Sequence, residues 1–177
     1  MEIGAHADET VGGDVADTAI ADVQTFTRAY EHYRLPVYRY LRAHGATDAD
    51  ALDLTAVTFE RAWAARHSFR PRGGGLAAWL FRIARNASID AHRQHGRGAH
   101  ATPEEVELAA SAGELEPDHV ALRDAVARLP EPQRDAVWLR FAAGLTAREI
   151  GMVLGKSEAA VQKQIQRALD ALGEALQ

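Results

Sequence analysis

The chain has 177 residues, enough for one or two small domains, and no cysteine, which excludes disulfides and thiolate metal sites. No apolar run approaches the roughly 20 residues that span a bilayer, and the start lacks the basic flank and apolar core of an export signal, so no membrane insertion and a cytoplasmic location are expected. The formal charge of −5 is unevenly placed: residues 1–23 carry six acids and no Lys or Arg, 24–97 twelve bases against six acids, 98–118 six acids and no base, and 119–177 eight bases against seven acids.

Residues 1–23, rich in Gly, Ala, Asp and Thr, hold too little apolar surface to offset their ordering entropy and are expected to form a disordered acidic tail. From Phe26, the three- and four-residue spacing of Ala29, Tyr30, Tyr33, Val37, Tyr40 and Leu41 predicts a helix. Pro36 inside it predicts a kink or two abutting helices, and Gly45 closes the element. Thr47 or Asp48 caps a second helix that carries Leu52, Phe59 and Trp63 and ends near Ser68. Between Phe69 and Gly75 the stretch FRPRGGG is a basic loop able to move.

The next helix, over about 76–94, divides its faces most clearly. Leu76, Trp79, Leu80, Ile83, Ala84, Ala87 and Ala91 share an apolar sector, whereas Arg82, Arg85, Asn86 and Arg93 fall within about 100° of one another elsewhere. Arginines and an asparagine beside aromatic residues suit single-stranded nucleic acid, although a solvated basic face on a core helix has the same pattern. Residues 97–117 are a linker by composition, so two small helical domains, 24–96 and 118–177, joined by an acidic flexible linker are expected in an all-α fold.

The second of these begins with a helix from Asp118 to Leu129, stopped by Pro130. Pro132 suits the first turn of the next, which carries Val137, Trp138 and Phe141 and is closed by Gly144. From Leu145 to Leu172 the sequence reads as two helices around a tight turn. Thr146 and Glu149 have capping-box spacing, Gly155 supplies a left-handed exit, and Ser157 caps the second helix. In that helix Val161, Ile165, Ala168, Leu169 and Leu172 face one way and Ala159, Ala160, Lys163 and Arg167 the other. Small side chains and cations at an exposed helix start suit a helix-turn-helix entering a major groove; an ordinary helical hairpin is the alternative.

The segments DLTAVTFERAWAARHSFRP (53–71) and AWLFRIARNASIDAHR (78–93) resemble region 2 of bacterial sigma factors, and RLPEPQRDAVWLRFAAGLTAREIGMVLGKSEAAVQKQIQRAL (128–169) resembles their region 4. The order and spacing are similar to those of the extracytoplasmic-function (ECF) group. The resemblance implies an RNA polymerase sigma factor that directs promoter-specific initiation. Its first domain would bind core RNA polymerase through Asp53, Leu54 and Thr55, and recognise and melt the minus-10 element with Phe69, Arg70, Arg82, Arg85, Asn86 and Arg93. The second would read the minus-35 element of promoter DNA with Lys156, Ser157, Ala160, Gln162, Lys163, Gln164 and Arg167. Gln162 and Gln164 stand where the family often has arginine, which shifts the expected preference from guanine toward adenine. Leu52, Ala56 and Val57 replace the acidic or amide residues usual at the polymerase contact, and an anti-sigma factor is a further candidate partner.

Two other classes compete. One is a helix-turn-helix regulator acting without replacing a sigma factor. The other is a metal-dependent nuclease built on Asp90, His92 and His95, but no third ligand stands at a recognisable spacing. With no phosphate loop, nucleophile elbow or zinc motif, neither an enzyme nor a cofactor or metal is expected.

Overall fold

The computed structural model describes residues 20–70, 75–95 and 117–176, and these are helical apart from short connections. The expectations for the tail up to residue 19, for residues 71–74 of the basic loop and for the linker over 96–116 lie outside the described residues. In chain order the helices are α1 (Val23–Ala43), α2 (Asp48–Ala65), α3 (Gly75–His95), α4 (Pro117–Arg128), α5 (Glu131–Val137), α6 (Ala147–Leu154) and α7 (Glu158–Ala175).

Helix α1 starts three residues before Phe26 because Asp22 caps it: its carboxylate accepts the Thr25 amide at 2.9 Å. It runs unbroken through Pro36, so the expected division into two helices does not occur. The bond that Pro36 cannot donate would have gone to the carbonyl of exposed His32, while Tyr33, Val37, Tyr40 and Leu41 on either side are buried. Packing on both flanks holds the turn that propensity alone would break.

Thr47 caps α2, its hydroxyl accepting the Asp50 amide at 3.2 Å, and Asp48 and Asp50 place negative charge in the first turn. Phe59 and Trp63 then meet the Phe26 ring edge-on, with centroids 6.3 and 4.9 Å away. Helix α3 packs against α1, α2 and α6. Its buried sector is therefore wider than the stripe expected from periodicity: Ala78 and Phe81 are enclosed along with Leu76, Leu80, Ala84 and Ala87.

After α4, Pro132 sits in the first turn of α5, as its missing N–H allows. The chain then widens into a π turn over Trp138–Ala142, with the Ala143 amide bonded to the Trp138 carbonyl at 3.2 Å. The wider turn buries Leu139 and leaves Phe141 62% exposed, although periodicity had placed Phe141 with the apolar residues. Leu139, Leu145, Ile150, Val153 and Val161 join the same apolar cluster as Tyr33, Val37, Leu76 and Phe81, so the two helical units share one core. A smaller cluster of Ala125, Leu129, Val137, Ala168 and Leu172 ties α4 and α5 to the later turns of α7.

The turn between α6 and α7 needs two glycines. Gly155 ends α6 in the left-handed region at φ 67°. Gly151, buried one turn earlier, is the one that periodicity missed: a Cβ there would lie 2.6 Å from the Lys156 carbonyl oxygen. Gly151→Ala should therefore destabilise the fold by about 1–3 kcal/mol through overpacking against backbone, seen as a lower thermal midpoint. Gly173→Ala, where nothing stands within 4 Å, should be neutral or stabilising.

Candidate nucleic-acid interface

The helix-turn-helix is built from its caps outward. Glu149 accepts the Thr146 amide at 2.7 Å while the Thr146 hydroxyl takes the Glu149 amide at 3.3 Å, which closes the capping box at the start of α6. Ser157 caps α7 by accepting the Ala160 amide at 3.2 Å. Ile150, Val153 and Val161 are buried, and this fixes α7 against α6. What remains outside is Lys156, Ser157, Ala159, Ala160, Gln162, Lys163 and Arg167, all exposed. The positive end of the helix dipole and three cations thus share a face on which Ala159 and Ala160 are small enough to permit close approach to a phosphate backbone, although the first turn also exposes the acid Glu158.

Gln162 and Gln164 separate. Gln162 is exposed, whereas Gln164 is half-buried with its amide oxygen enclosed and without a hydrogen-bond partner. Stepping 100° per residue explains this: Gln164 lies about 60° from Val161 and Gln162 about 100° from it. Gln162, not Gln164, is the amide free to face a ligand.

On α3, Arg82, Asn86 and Arg93 are exposed and lie within about 40° of one another around the helix. Arg85 lies about 60° off that row and leaves it: the side chain is 31% exposed and its Nε stands 4.0 Å from an oxygen of Asp135 on α5. Phe69, expected in the contact loop, is 6% exposed, its ring 5.0 Å from that of half-buried Trp79. Phe69, Arg70, Gly75, Ala78, Trp79 and Arg82 line a cavity of about 80 Å³ whose remaining wall is Met152 of α6. Arg70 itself is exposed.

The α2 residues expected at a polymerase contact also divide. Asp53 is exposed and Leu54 half-buried, but Thr55 is buried and its hydroxyl donates to the Ala51 carbonyl at 2.6 Å, so it has nothing to offer a partner in this state. Leu52, at 57% exposure, and Ala56 extend the accessible surface beside Asp53. His92 bonds through Nδ1 to the Ser88 carbonyl at 3.1 Å, and Asp90 pairs with Arg61 of α2 at 3.0 Å; the side chain of His95 lies outside the described residues.

One polar cluster has no counterpart in the sequence patterns. Asp135, 4% exposed, meets Nε2 of His44, the residue that caps the end of α1, as well as Arg85 from α3. His44 Nδ1 faces the Tyr40 carbonyl at 2.6 Å. Burial, and after it the Asp135 charge, pushes the Tyr40 phenol far above its ordinary range. His44 and Asp135 stand 91 positions apart, so no local signal marks them.

A capped helix-turn-helix beside a second, cationic helix is the arrangement of the DNA-binding class of proteins. Residues 29–98 match sigma-70 region 2 and residues 119–172 match sigma-70 region 4. The chain is similar to the ECF RNA polymerase sigma factor BldN of Streptomyces coelicolor, 36% identical over 163 residues that cover 88% of this chain and 61% of the relative; it thus spans less than two thirds of that protein's length. It is 31% identical over 176 residues to the ECF RNA polymerase sigma factor SigD of Mycobacterium bovis, covering 93% of this chain and 82% of the relative. Among solved structures, the sigma factor RpoE of Bartonella quintana, in complex with the anti-sigma factor NepR, superposes with a TM-score of 0.69 at 25% identity, over 87% of this chain and 98% of that one. The chain belongs to the ECF RNA polymerase sigma factors, DNA-binding proteins of transcription initiation.

Trp79 was expected in the apolar sector and is only half-buried, at the cavity wall. Trp79→Ala should then cost less than the roughly 3–5 kcal/mol of a fully enclosed aromatic, whereas Phe81→Ala, at 1% exposure, should cost that full amount. Chemical denaturation of the two variants side by side checks the order.

Proposed function

We propose that the chain directs promoter-specific initiation as a reader in two parts, with residues 24–96 docking on core RNA polymerase and opening the minus-10 element and residues 118–177 reading the minus-35 element as duplex. The observation that carries this reading is the presence, on one chain, of two exposed cationic faces of different character. The start of α7 is capped and presents small Ala159 and Ala160 beside Lys163, as suits a major-groove helix. The α3 row of Arg82, Asn86 and Arg93 lies beside an aromatic cavity, as melted strands require.

Under this reading Asp53, Leu52, Leu54 and Ala56 form the polymerase contact, more apolar than is usual in the family, while Thr55 supports it by tying the helix internally. Phe69 acts by holding Trp79 and Arg70 in place, and Arg85 joins the DNA face only after leaving Asp135. The chain works by binding, without an enzymatic step, and in the cytoplasm; no helix among the described residues is long and apolar enough to cross a membrane. An anti-sigma factor, such as the one bound to the Bartonella quintana relative, is a further partner. A regulator acting without polymerase would use α7 but leaves the α3 row without a purpose.

Three outcomes test this. With core polymerase bound, Arg82→Ala combined with Arg93→Ala should spare closed-complex formation and reduce permanganate reactivity of promoter thymines; unchanged reactivity would refute the role of the row. Gln162→Arg should alter discrimination at one minus-35 base by about 1–3 kcal/mol. Gln164→Arg should leave base preference alone and lower stability instead, because its side chain points inward. A uniform rise in affinity with a steeper salt dependence for Gln162→Arg would mean a phosphate contact in place of base readout.

A further inference from the structure

Four exposed residues form the outer stripe of α7. Ala159, Gln162, Lys163 and Gln166 stand at i, i+3, i+4 and i+7 and, at 100° per residue, fall within an arc of about 100°. Gln166 lies near the middle of that arc, about 140° around the helix from Val161 and about 160° from Ala168, both buried. It therefore stands further from the core than Gln162, which lies about 100° from Val161. Side chains at this same spacing read bases from the groove-lying helix of homeodomains. Along the axis Gln166 is about 6 Å beyond Gln162, close to two base steps of a duplex.

The Gln166 amide is not free to turn. Its Nε2 donates to Oδ1 of Asp170, one turn further on and also exposed, at 2.9 Å. An ionised carboxylate can only accept, so this pairing admits one orientation of the amide: nitrogen toward Asp170 and Oε1 on the branch turned away from it. Among the described residues nothing else engages that amide. The fixed group offers a partner an acceptor and no donor. In the major groove adenine and cytosine each present an amino N–H, at N6 and N4, whereas guanine and thymine present acceptors at O6 and O4. A fixed Oε1 bonds the first pair and is repelled by the second. An acid beside Lys163 and Arg167 also weakens attraction to phosphate, so a face selected for affinity alone has no use for Asp170.

We propose that Gln166 is a further base-reading residue of α7 and that Asp170 is its positioning residue: by holding Nε2, Asp170 makes Gln166 an acceptor-only reader that selects an amino-bearing base, adenine or cytosine, at one position of the duplex element. The inference rests on α7 being the minus-35 contact. It differs from the readout assigned to Gln162, whose untied amide can offer an acceptor and a donor together and so match adenine alone. The competing account is a Gln–Asp pair one turn apart that only supports the helix.

The full chain with core polymerase, supplied with promoters randomised across the minus-35 element, reports base preference as transcript counts. The unaltered chain should favour adenine or cytosine over guanine or thymine by about fivefold at one position, the worth of one hydrogen bond. Gln166→Ala should flatten that position alone. Asp170→Asn, whose amide both donates and accepts, frees Gln166 to turn and should admit guanine and thymine there. Loss of an acid raises affinity for all sequences alike, so the ratios between bases do not record it. Gln166→Glu combined with Asp170→Asn keeps the net charge and again presents an acceptor; it should restore rejection of guanine and thymine and favour cytosine. Both positions are exposed, so all these variants should fold, and thermal midpoints are measured alongside. Lower midpoints with unchanged preference at every position would mean a helix-supporting pair only and overturn the inference. A preference that Gln166→Ala removes but Asp170→Asn leaves intact would overturn the positioning role. An unaltered chain that selects no sequence with core polymerase would refute the sigma reading and this inference with it, whereas selection that persists at other positions and ignores Gln166 overturns the inference alone.

Discussion

Helix α3 is the constraint on which the rest of the structure depends. Its buried sector, from Leu76 through Phe81 to Ala87, is covered by α1 and α2 from one unit and by α6 from the other, and this width of burial makes a single core out of two helical units. The helix is nevertheless not apolar all round. Arg82, Asn86 and Arg93 occupy the remaining arc, where a charged side chain remains solvated at little desolvation penalty. Packing on three neighbours therefore fixes the direction in which the cationic row points, and a rigid row is what ordered contact with a nucleic-acid strand requires.

The exposed face of α7, proposed as the second contact face, is positioned by a different device. Helix α6 has only eight residues and could not persist alone; its capping box, the left-handed Gly155 and the close passage of backbone at Gly151 hold it against α7. Satisfying the first amides of α7 with Ser157 leaves the outer side of that turn to Ala159, Ala160 and Lys163. The two faces thus follow from ordinary burial and capping, with cations assigned to the arcs that packing leaves free.

Features that depend on near neighbours were legible in the sequence. Spacing located each α-helix among the described residues, the caps at Thr47, Thr146 and Ser157 were readable as hydroxyls before apolar periodicity, and Gly155 marked its own turn. Features that depend on distant neighbours were not. Pro36 signals a break, yet α1 continues because both flanking turns are packed. Thr55 and Phe69 match a contact motif, yet both are buried, since a motif records residue types and not which side the core claims. Arg85 belongs to its row by periodicity but is drawn to Asp135, and Gln164 matches a contact motif yet lies about 160° around α7 from exposed Gln162, on the side the core claims. The meeting of His44 with Asp135 arises only when the two units pack, so no window along the chain contains it.

Family membership and the two exposed cationic faces combine into one account: a sigma factor for which we propose that α3 and α7 each present one of the two promoter-contact faces. The most direct measurement is transcription in vitro from a pool of genomic fragments, with core RNA polymerase and this chain as the sole specificity factor. The account predicts discrete start sites preceded by a shared pair of sequence elements, lost when the spacer between them is changed by half a helical turn. Tight, sequence-specific duplex binding by the chain alone, with no specific transcript when core polymerase is added, would contradict it.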